Sequence, residues 1–433
     1  MSLGILAVLS VGIADAYFLG RLGGEPLAAI GYVYPVTSAL SSLAIGLSAG
    51  ANASVSQAIG RKEGDVFLAR LSVHAFALGL TLSVVVALCF FAVHVPLFRL
   101  MGASDAVLIE IEVYVPIWAA SFPFLVLLMI TNAVLRAHGQ AALASVFMIV
   151  AAAMNIALNP VLIFGFGPIE GLGTSGAAAA TFAGRVIAAG LALWFAIRAR
   201  HVFLCGGFGE RLKANFGAIA SVGGPAAFSN AINPAGMALV TAAVATLGDA
   251  AVAGFGAATR IQSVALVVLL ALSSGIGPVV GQNWGAEAYE RAKASVVQAW
   301  LFCLGYGFVL GLCLFAFADP LARLIASDTD AARFTAEYLS IVGWSFAGYG
   351  ILVTANAAMN ARSKALYSMS LSLGRIFLVY LPLAWLGVSV LGYSGILLAA
   401  FMANIAAIAG AVYLCYRAEL LPAKTNLART VGS

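Results

Sequence analysis

A single aspartate, Asp15, stands in an apolar stretch near the start of the chain, within residues 12–23. The hydropathy pattern places no other carboxylate inside a hydrophobic segment. A charge at bilayer depth costs at least about 2.5–3.5 kcal/mol on insertion scales, so a residue of this kind is read as functional by default. A carboxylate there can take up a proton, or it can supply oxygen ligands to a hard monovalent cation. The sequence therefore predicts a proton-binding or ion-binding role for Asp15.

Polar side chains in two later apolar segments are spaced to join this carboxylate. Asn155 and Asn159 are four residues apart, as are Thr181 and Arg185, so each pair shares one face of a helix. At 1.5 Å per residue, Asp15, Asn159 and Thr181 lie about 7 to 9 Å below the outer ends of their segments. Asn155 and Arg185 lie one helical turn deeper. The agreement in depth favours one shared site.

Other interpretations of these residues stay open on the sequence alone. Asp15 and Arg185 could form a structural ion pair, because an arginine inside the membrane needs an acidic or carbonyl partner. Asn155 and Asn159 could instead hold neighbouring helices together by hydrogen bonds in lipid. Thr181 is a common packing residue in membrane helices, so its role is equally open.

The composition of the chain is that of a polytopic membrane protein. Of its 433 residues, 63% are hydrophobic and 9% are charged, and the mean hydropathy is +1.04. Too few charges remain to cover a soluble surface. Apolar runs of about 20 residues recur, each long enough to cross the hydrocarbon core. We place twelve spans at residues 2–19, 28–58, 71–96, 112–135, 143–166, 174–197, 217–246, 252–282, 292–318, 334–359, 366–388 and 394–416.

The distribution of basic residues predicts the orientation. Most of the 22 lysine and arginine residues fall in loops on one side of the twelve spans. Because cytoplasmic loops carry this excess, both termini are expected in the cytoplasm. The same distribution explains the net charge of +5, so no nucleic-acid partner is expected. We predict a multi-pass protein of the plasma membrane, with the bacterial inner membrane indicated by the Ala- and Gly-rich composition.

The two halves of the sequence repeat each other. Leu27-Ala-Ala-Ile-Gly31 corresponds to Val252-Ala-Gly-Phe-Gly256, and Gly173-Thr-Ser-Gly176 corresponds to Gly392-Tyr-Ser-Gly395. Six spans per half is an even number, so both halves enter the membrane from the same side and the repeat is parallel. We therefore predict an all-α polytopic membrane protein, with twelve transmembrane helices in two parallel six-helix repeats around a central cavity.

The repeat also predicts the domain organisation. The N-terminal six-helix lobe is placed at residues 1–205 and the C-terminal six-helix lobe at residues 206–433. In the second half, residues 223–230 lie in the N-terminal part of the first span, and the repeat offset of 225 places Pro225 at position zero, just before Met1. We therefore expect the first span to be incomplete at its N-terminal end.

The chain resembles the multidrug and toxic compound extrusion (MATE) transporters, within the superfamily that also contains lipid-linked oligosaccharide flippases. The resemblance covers essentially the whole chain and rests on motifs that occur in order. These are Asp15-Ala-Tyr-Phe-Leu-Gly-Arg-Leu-Gly23, Leu135-Arg-Ala-His-Gly139, Asn155-Ile-Ala-Leu-Asn-Pro160, Gly173-Thr-Ser-Gly-Ala-Ala-Ala-Ala-Thr181 and Pro278-Val-Val-Gly-Gln-Asn-Trp-Gly285.

The resemblance implies an ion site in the N-terminal lobe. In members that have this site, an acid in the first helix is joined by polar residues of the fifth and sixth helices. Carried over, these are Asp15, Asn155, Asn159 and Thr181, which form the candidate proton or sodium site. Such members commonly hold Asp at the position of Asn159, so here the site has one negative charge fewer. This difference favours protons over sodium as the coupling ion.

The resemblance further implies a secondary antiporter that exports organic compounds, cationic or amphipathic in character, by alternating access. Arg185 and Asn132 are then candidates for the cavity or pathway. We expect a monomer with a small organic substrate and no resident cofactor. The alternative is a flippase for a lipid-linked saccharide, which would need several basic residues for the pyrophosphate; Arg185, Arg260 and Arg375 keep it open. An enzyme is not expected, because acid–base or metal chemistry requires paired acids.

Overall fold

A computed structural model describes residues 1–203, 207–325 and 328–422, and within these ranges the chain is almost wholly helical. The only strands within these ranges form a short ribbon, in which β1 (Gly165–Phe166) pairs antiparallel with β2 (Ile169–Glu170). The helices are α1 (Ser2–Leu22), α2 (Gly24–Gly60), α3 (Asp65–Leu100), α4 (Asp105–Ala137), α5 (Ala141–Phe164), α6 (Thr174–Arg198), α7 (Leu212–Ala245), α8 (Asp249–Ala265), α9 (Val267–Gly285), α10 (Tyr289–Ala316), α11 (Ala318–Ile325), α12 (Thr329–Val342), α13 (Phe346–Ala361), α14 (Ala365–Leu373), α15 (Leu381–Leu391) and α16 (Tyr393–Arg417).

The described ranges contain twelve helical segments that are long and apolar enough to cross a membrane, which confirms the predicted number. Helices are the expected solution, because lipid offers no partner for an unpaired backbone amide or carbonyl. Two of the segments are composite. One is Thr329–Ala361, in which a short 3₁₀ turn joins α12 to α13, and the other is Ala365–Leu391, in which α14 leads through a π-helix to α15. The predicted eighth span is divided at Leu266 into α8 and α9.

The described residues fall into two compact units, Met1–Ala227 (unit 1) and Phe228–Ser433 (unit 2), and the division lies within α7. The lobe boundary predicted between residues 205 and 206 lies outside the described residues. In unit 1, α4 packs against α2, α3 and α6, and α5 packs against both α1 and α6. Its core includes Ile130, Leu135 and Phe122, which are at most 1% exposed.

Close packing of α5 and α6 depends on two glycines of α6. A Cβ at Gly176 would lie 2.2 Å from the carbonyl oxygen of Leu162, and one at Gly184 would lie 2.7 Å from that of Ala151. Small residues of this kind allow membrane helices to approach at the backbone. The approach brings the polar face of α6 against the polar face of α5.

In unit 2, α13 is the central helix and packs against α9, α10 and α16. The π-helix at Gly374–Tyr380 also packs against α16. The turns of a π-helix are wider than those of an α-helix, so the side chains that follow are displaced around the helix axis. π-Helical turns inside α-helices are frequent at functional sites.

Candidate functional site

Three helices of unit 1 contribute to a continuous row of polar side chains. On α1, Asp15 Oδ1 accepts a hydrogen bond of 2.6 Å from Nδ2 of Asn159 on α5. The same Nδ2 lies 3.3 Å from Oδ1 of Asn155, one turn away on α5. Asn155 Nδ2 then donates to Oγ1 of Thr181 on α6, at 2.9 Å. The structure thus brings together the four residues that the sequence selected for the ion site, while their role in ion binding stays a prediction.

The row lies mostly inside unit 1. Asn159 is fully buried, Asn155 is 3% exposed and Thr181 is 9% exposed, whereas Asp15 is only partly buried. Asn159 Oδ1 is buried and accepts no hydrogen bond from any residue that the structure describes. A buried carbonyl oxygen without a donor is costly, so this atom is available to a proton donor or a cation.

Helix α5 holds its two asparagines in register because it is continuous from Ala141 to Phe164. Pro160 lies inside it and has no N–H, so the carbonyl of Ile156 loses its usual helical donor. The helix is not broken at this point. The proline therefore frees one carbonyl oxygen beside the site without disturbing the spacing of Asn155 and Asn159.

Arg185 lies on the same helix as Thr181 but turns towards α4. Its Nη1 donates to Ser121 Oγ at 2.6 Å, and its Cζ lies 4.9 Å from the centre of the Trp118 ring. Among the described residues, none of the ion pairs within 4.0 Å joins Arg185 to Asp15. In this conformation the arginine is held by a hydroxyl and an aromatic face, so the structural ion pair that the sequence left open is not formed.

Asn132, the other pathway candidate, lies on α4 and is fully buried. Within the described part of the chain, neither its Nδ2 nor its Oδ1 has a hydrogen-bond partner. It does not join the row of Asp15, Asn159, Asn155 and Thr181. Its proposed place in a pathway stays a prediction.

Sequence reasoning missed the contribution of α4. Tyr114, which is 5% exposed, lies near Thr181 and Asp15, and Ser121 and Trp118 hold Arg185. These are ordinary residues of an apolar helix, and no spacing pattern relates them to the row. Only the packing of α4 against α6 shows their position.

Unit 2 corrects one expectation about the acids. Glu337 lies inside the membrane-spanning segment Thr329–Ala361, so Asp15 is not the sole carboxylate in such a segment. Glu337 is partly buried and accepts a hydrogen bond of 2.5 Å from Ser394 Oγ. The two carboxylates belong to different units. The described residues contain no cluster of three or more His, Cys, Asp or Glu side chains that could hold a metal ion.

Comparison with known proteins places this geometry in a family. A model of the MatE family matches residues 1–161 and 225–386. A protein of Shewanella oneidensis named FAD transporter is 36% identical over 418 residues, which is 96% of this chain and 92% of that protein. The multidrug export protein MepA of Staphylococcus aureus is 23% identical over 423 residues, covering 96% of this chain and 91% of that protein.

Solved structures agree with the sequence comparisons. The bent form of the MATE transporter VcmN of Vibrio cholerae matches this structure with a TM-score of 0.91 and 29% sequence identity. The match covers 97% of this chain and 94% of that chain. The similarity therefore extends over both halves of the repeat.

Proposed function

Because this chain belongs to the MatE family of membrane transporters, we propose that it is a secondary antiporter that exports a small organic compound in exchange for protons, with Asp15 as the coupling carboxylate. The observation that carries the proposal is the row of hydrogen bonds from Asp15 through Asn159 and Asn155 to Thr181. A carboxylate held in this way inside a membrane-spanning helix is a natural place for a transported proton.

The two protonation states of Asp15 favour different arrangements of the row. When ionised, the carboxylate accepts the hydrogen bond from Asn159 Nδ2. When protonated, its O–H needs an acceptor. The buried Asn159 Oδ1, which has no donor among the described residues, supplies one after the amide rotates by half a turn. Proton uptake therefore changes the contact between α1 and α5.

This change can be coupled to transport. An ion or substrate shifts a conformational equilibrium only if it binds the two states unequally. Because the contact between α1 and α5 changes on protonation, the proton binds one conformational state more tightly than the other. Alternating access then links proton entry to substrate exit.

Sodium is the second candidate for the coupling ion. After the same amide rotation, oxygens of Asp15, Asn159, Asn155 and Thr181 could all face one cation. Oxygen ligands suit a hard cation, but a single negative charge compensates little of the cost of removing sodium from water. The proton is therefore preferred.

For the substrate we propose a flavin dinucleotide or a related phosphate-bearing compound. The proposal is supported by the 36% identity to a protein named FAD transporter over nearly the full length of both chains. It is also supported by Arg185 and Arg375, which lie well inside the membrane-spanning segments Thr174–Arg198 and Ala365–Leu391, because an arginine fork suits phosphate.

Organic cations are the second candidate substrate. Relatives named multidrug export proteins favour them at 23% identity, and cationic or amphipathic compounds are what the sequence led us to expect. A flippase for a lipid-linked saccharide has less support, because Arg260, one of its three candidate arginines, is exposed on α8. We further propose a monomer in a bacterial inner membrane, with both termini in the cytoplasm.

The deciding experiment measures transport into proteoliposomes with a proton gradient and a sodium gradient imposed separately, using FAD and a fluorescent organic cation as substrates. Asp15→Asn is expected to abolish gradient-driven transport. Asp105→Asn, which alters an exposed carboxylate in the first turn of α4, is the matched control and should transport normally. Unchanged transport by Asp15→Asn would refute the coupling role.

A further inference from the structure

Arg375 lies in unit 2, at the second residue of the π-helix Gly374–Tyr380. The surrounding segment, Ala365–Leu391, is one of the twelve that can span the membrane. The side chain is only partly buried. A guanidinium at this position is a permanent positive charge, because arginine does not lose its proton in proteins.

Neutral groups from three other helices, α7, α13 and α16, hold this guanidinium in place. Its Nε donates to Asn404 Oδ1 at 3.1 Å, and its Nη1 donates to Asn233 Oδ1 at 3.2 Å. Its Cζ lies 5.4 Å from the centre of the Tyr349 ring. Asn404 is itself fixed, because its Nδ2 donates to Ser345 Oγ at 2.8 Å. The two amides and the ring set the direction of the arginine fork.

The contacts of Arg375 within the described part of unit 2 are to uncharged groups. Among the residues that the structure describes, no carboxylate lies within 4.0 Å of its guanidinium. Its Nη2 also donates no hydrogen bond to any described protein group. An intramembrane charge almost always has a partner, since its insertion is costly. Asn233, Asn404 and Tyr349 are neutral partners, so an anionic ligand would supply the opposite charge that the described residues around Arg375 do not.

We propose that Arg375, held by Asn233 and Asn404, binds a phosphate group of the exported compound. The inference rests on the proposed export of a phosphate-bearing substrate and assigns the residue that recognises it. Planar N–H groups of arginine match two phosphate oxygens at once. In a flavin dinucleotide, the bound group is the pyrophosphate that joins the two nucleotide halves. Riboflavin has no pyrophosphate, so Arg375 should not contribute to its binding.

The first test uses inorganic pyrophosphate as the probe, independently of transport. Pyrophosphate should raise the melting temperature of the purified wild-type protein and should not raise that of Arg375→Gln. Arg260→Gln, which removes an exposed arginine of the same unit, should respond like the wild type. Arg375→Lys keeps the positive charge but not the planar pair of N–H donors, and it serves as the test if Arg375→Gln does not fold. For this variant, pyrophosphate should raise the melting temperature less than it does for the wild type. An equal response in the wild type and both Arg375 variants would overturn the inference, as would no response in the wild type.

The second test separates this inference from the proposed function. Flavin fluorescence should show that Arg375→Gln weakens FAD binding roughly ten- to hundredfold, as expected for the loss of charge-assisted hydrogen bonds. Riboflavin binding should not change, and an equal loss for both flavins would count against a phosphate contact. If pyrophosphate requires Arg375 but no gradient drives FAD transport, the proposed function fails while the anion site stands.

Discussion

Replacing Gly176 with alanine tests whether the close packing of α5 and α6 holds the candidate site together. A Cβ at this position would lie 2.2 Å from the Leu162 carbonyl oxygen, whereas ordinary contact begins at 3.4 Å. The obstacle is backbone, which cannot rotate away. The two helices must therefore separate by about 1.2 Å, the difference between these distances.

The separation acts directly on the site, because Thr181 follows Gly176 on the same helix. Its hydrogen bond from Asn155 measures 2.9 Å. A shift of about 1.2 Å would lengthen it to about 4 Å, which is beyond hydrogen-bond range. Overpacking of this kind costs about 1–3 kcal/mol. We therefore expect both a lower melting temperature and weaker proton-driven transport.

The assay compares two substitutions on α6. Gly190→Ala is the control, because a Cβ at Gly190 has no neighbour within 4 Å. Melting temperature is measured on purified protein, and transport is measured in proteoliposomes under an imposed proton gradient. If Gly176→Ala matches Gly190→Ala in both measurements, the close approach of α5 and α6 does not position the site.

Two further predictions concern single side chains of unit 1. Thr181→Val leaves the buried amide of Asn155 without its acceptor and should lower stability by about 1–3 kcal/mol, whereas Thr181→Ser should restore most of it; equal melting temperatures would contradict this. Burial, with a smaller contribution from the charge of His138, lowers the pKa of His201 to about 4 from its usual 6.5. His201 therefore binds a proton more readily in the unfolded chain than in the folded protein. Protonation of His201 does not affect the free energy of unfolding above about pH 6.5, but it lowers that free energy as the pH falls from 6.5 towards 4. His201→Gln should flatten the fall in melting temperature over that range, and an unchanged slope would argue against it.

The sequence predicted the parts of the site that depend on one helix at a time. Asn155 and Asn159 share a face because four residues make about one turn, and the common depth of Asp15, Asn159 and Thr181 follows from the rise per residue. Both results need only helix geometry and the position of the membrane.

What the sequence did not predict depends on which helices are neighbours. The turn of Arg185 towards Ser121 and Trp118 is decided by the packing of α4 on α6, and a long side chain can reach several partners. The π-helix that carries Arg375 was also unexpected. A single wider turn changes no hydropathy pattern, so it leaves no signal in an apolar segment.

The internal repeat relates Arg185 of unit 1 to Asn404 of unit 2. The pairing of Gly173 with Gly392 aligns Arg185 with Asn404, and Ser121 corresponds to Ser345. The contact is retained in both units, since Arg185 donates to Ser121 and Asn404 donates to Ser345. In unit 2 the amide also accepts a hydrogen bond from Arg375.

The equivalent serines therefore accept hydrogen bonds from different residues, Arg185 in unit 1 and Asn404 in unit 2, and Asp15 belongs to unit 1. The charge of Asp15 can be removed by a proton, whereas that of Arg375 is permanent. Antiport requires that the driving ion and the substrate each favour a different state. A titratable carboxylate meets this requirement for the proton. The charge of Arg375 does not depend on pH. A change in proton concentration therefore leaves the attraction of this arginine for an anionic substrate unchanged.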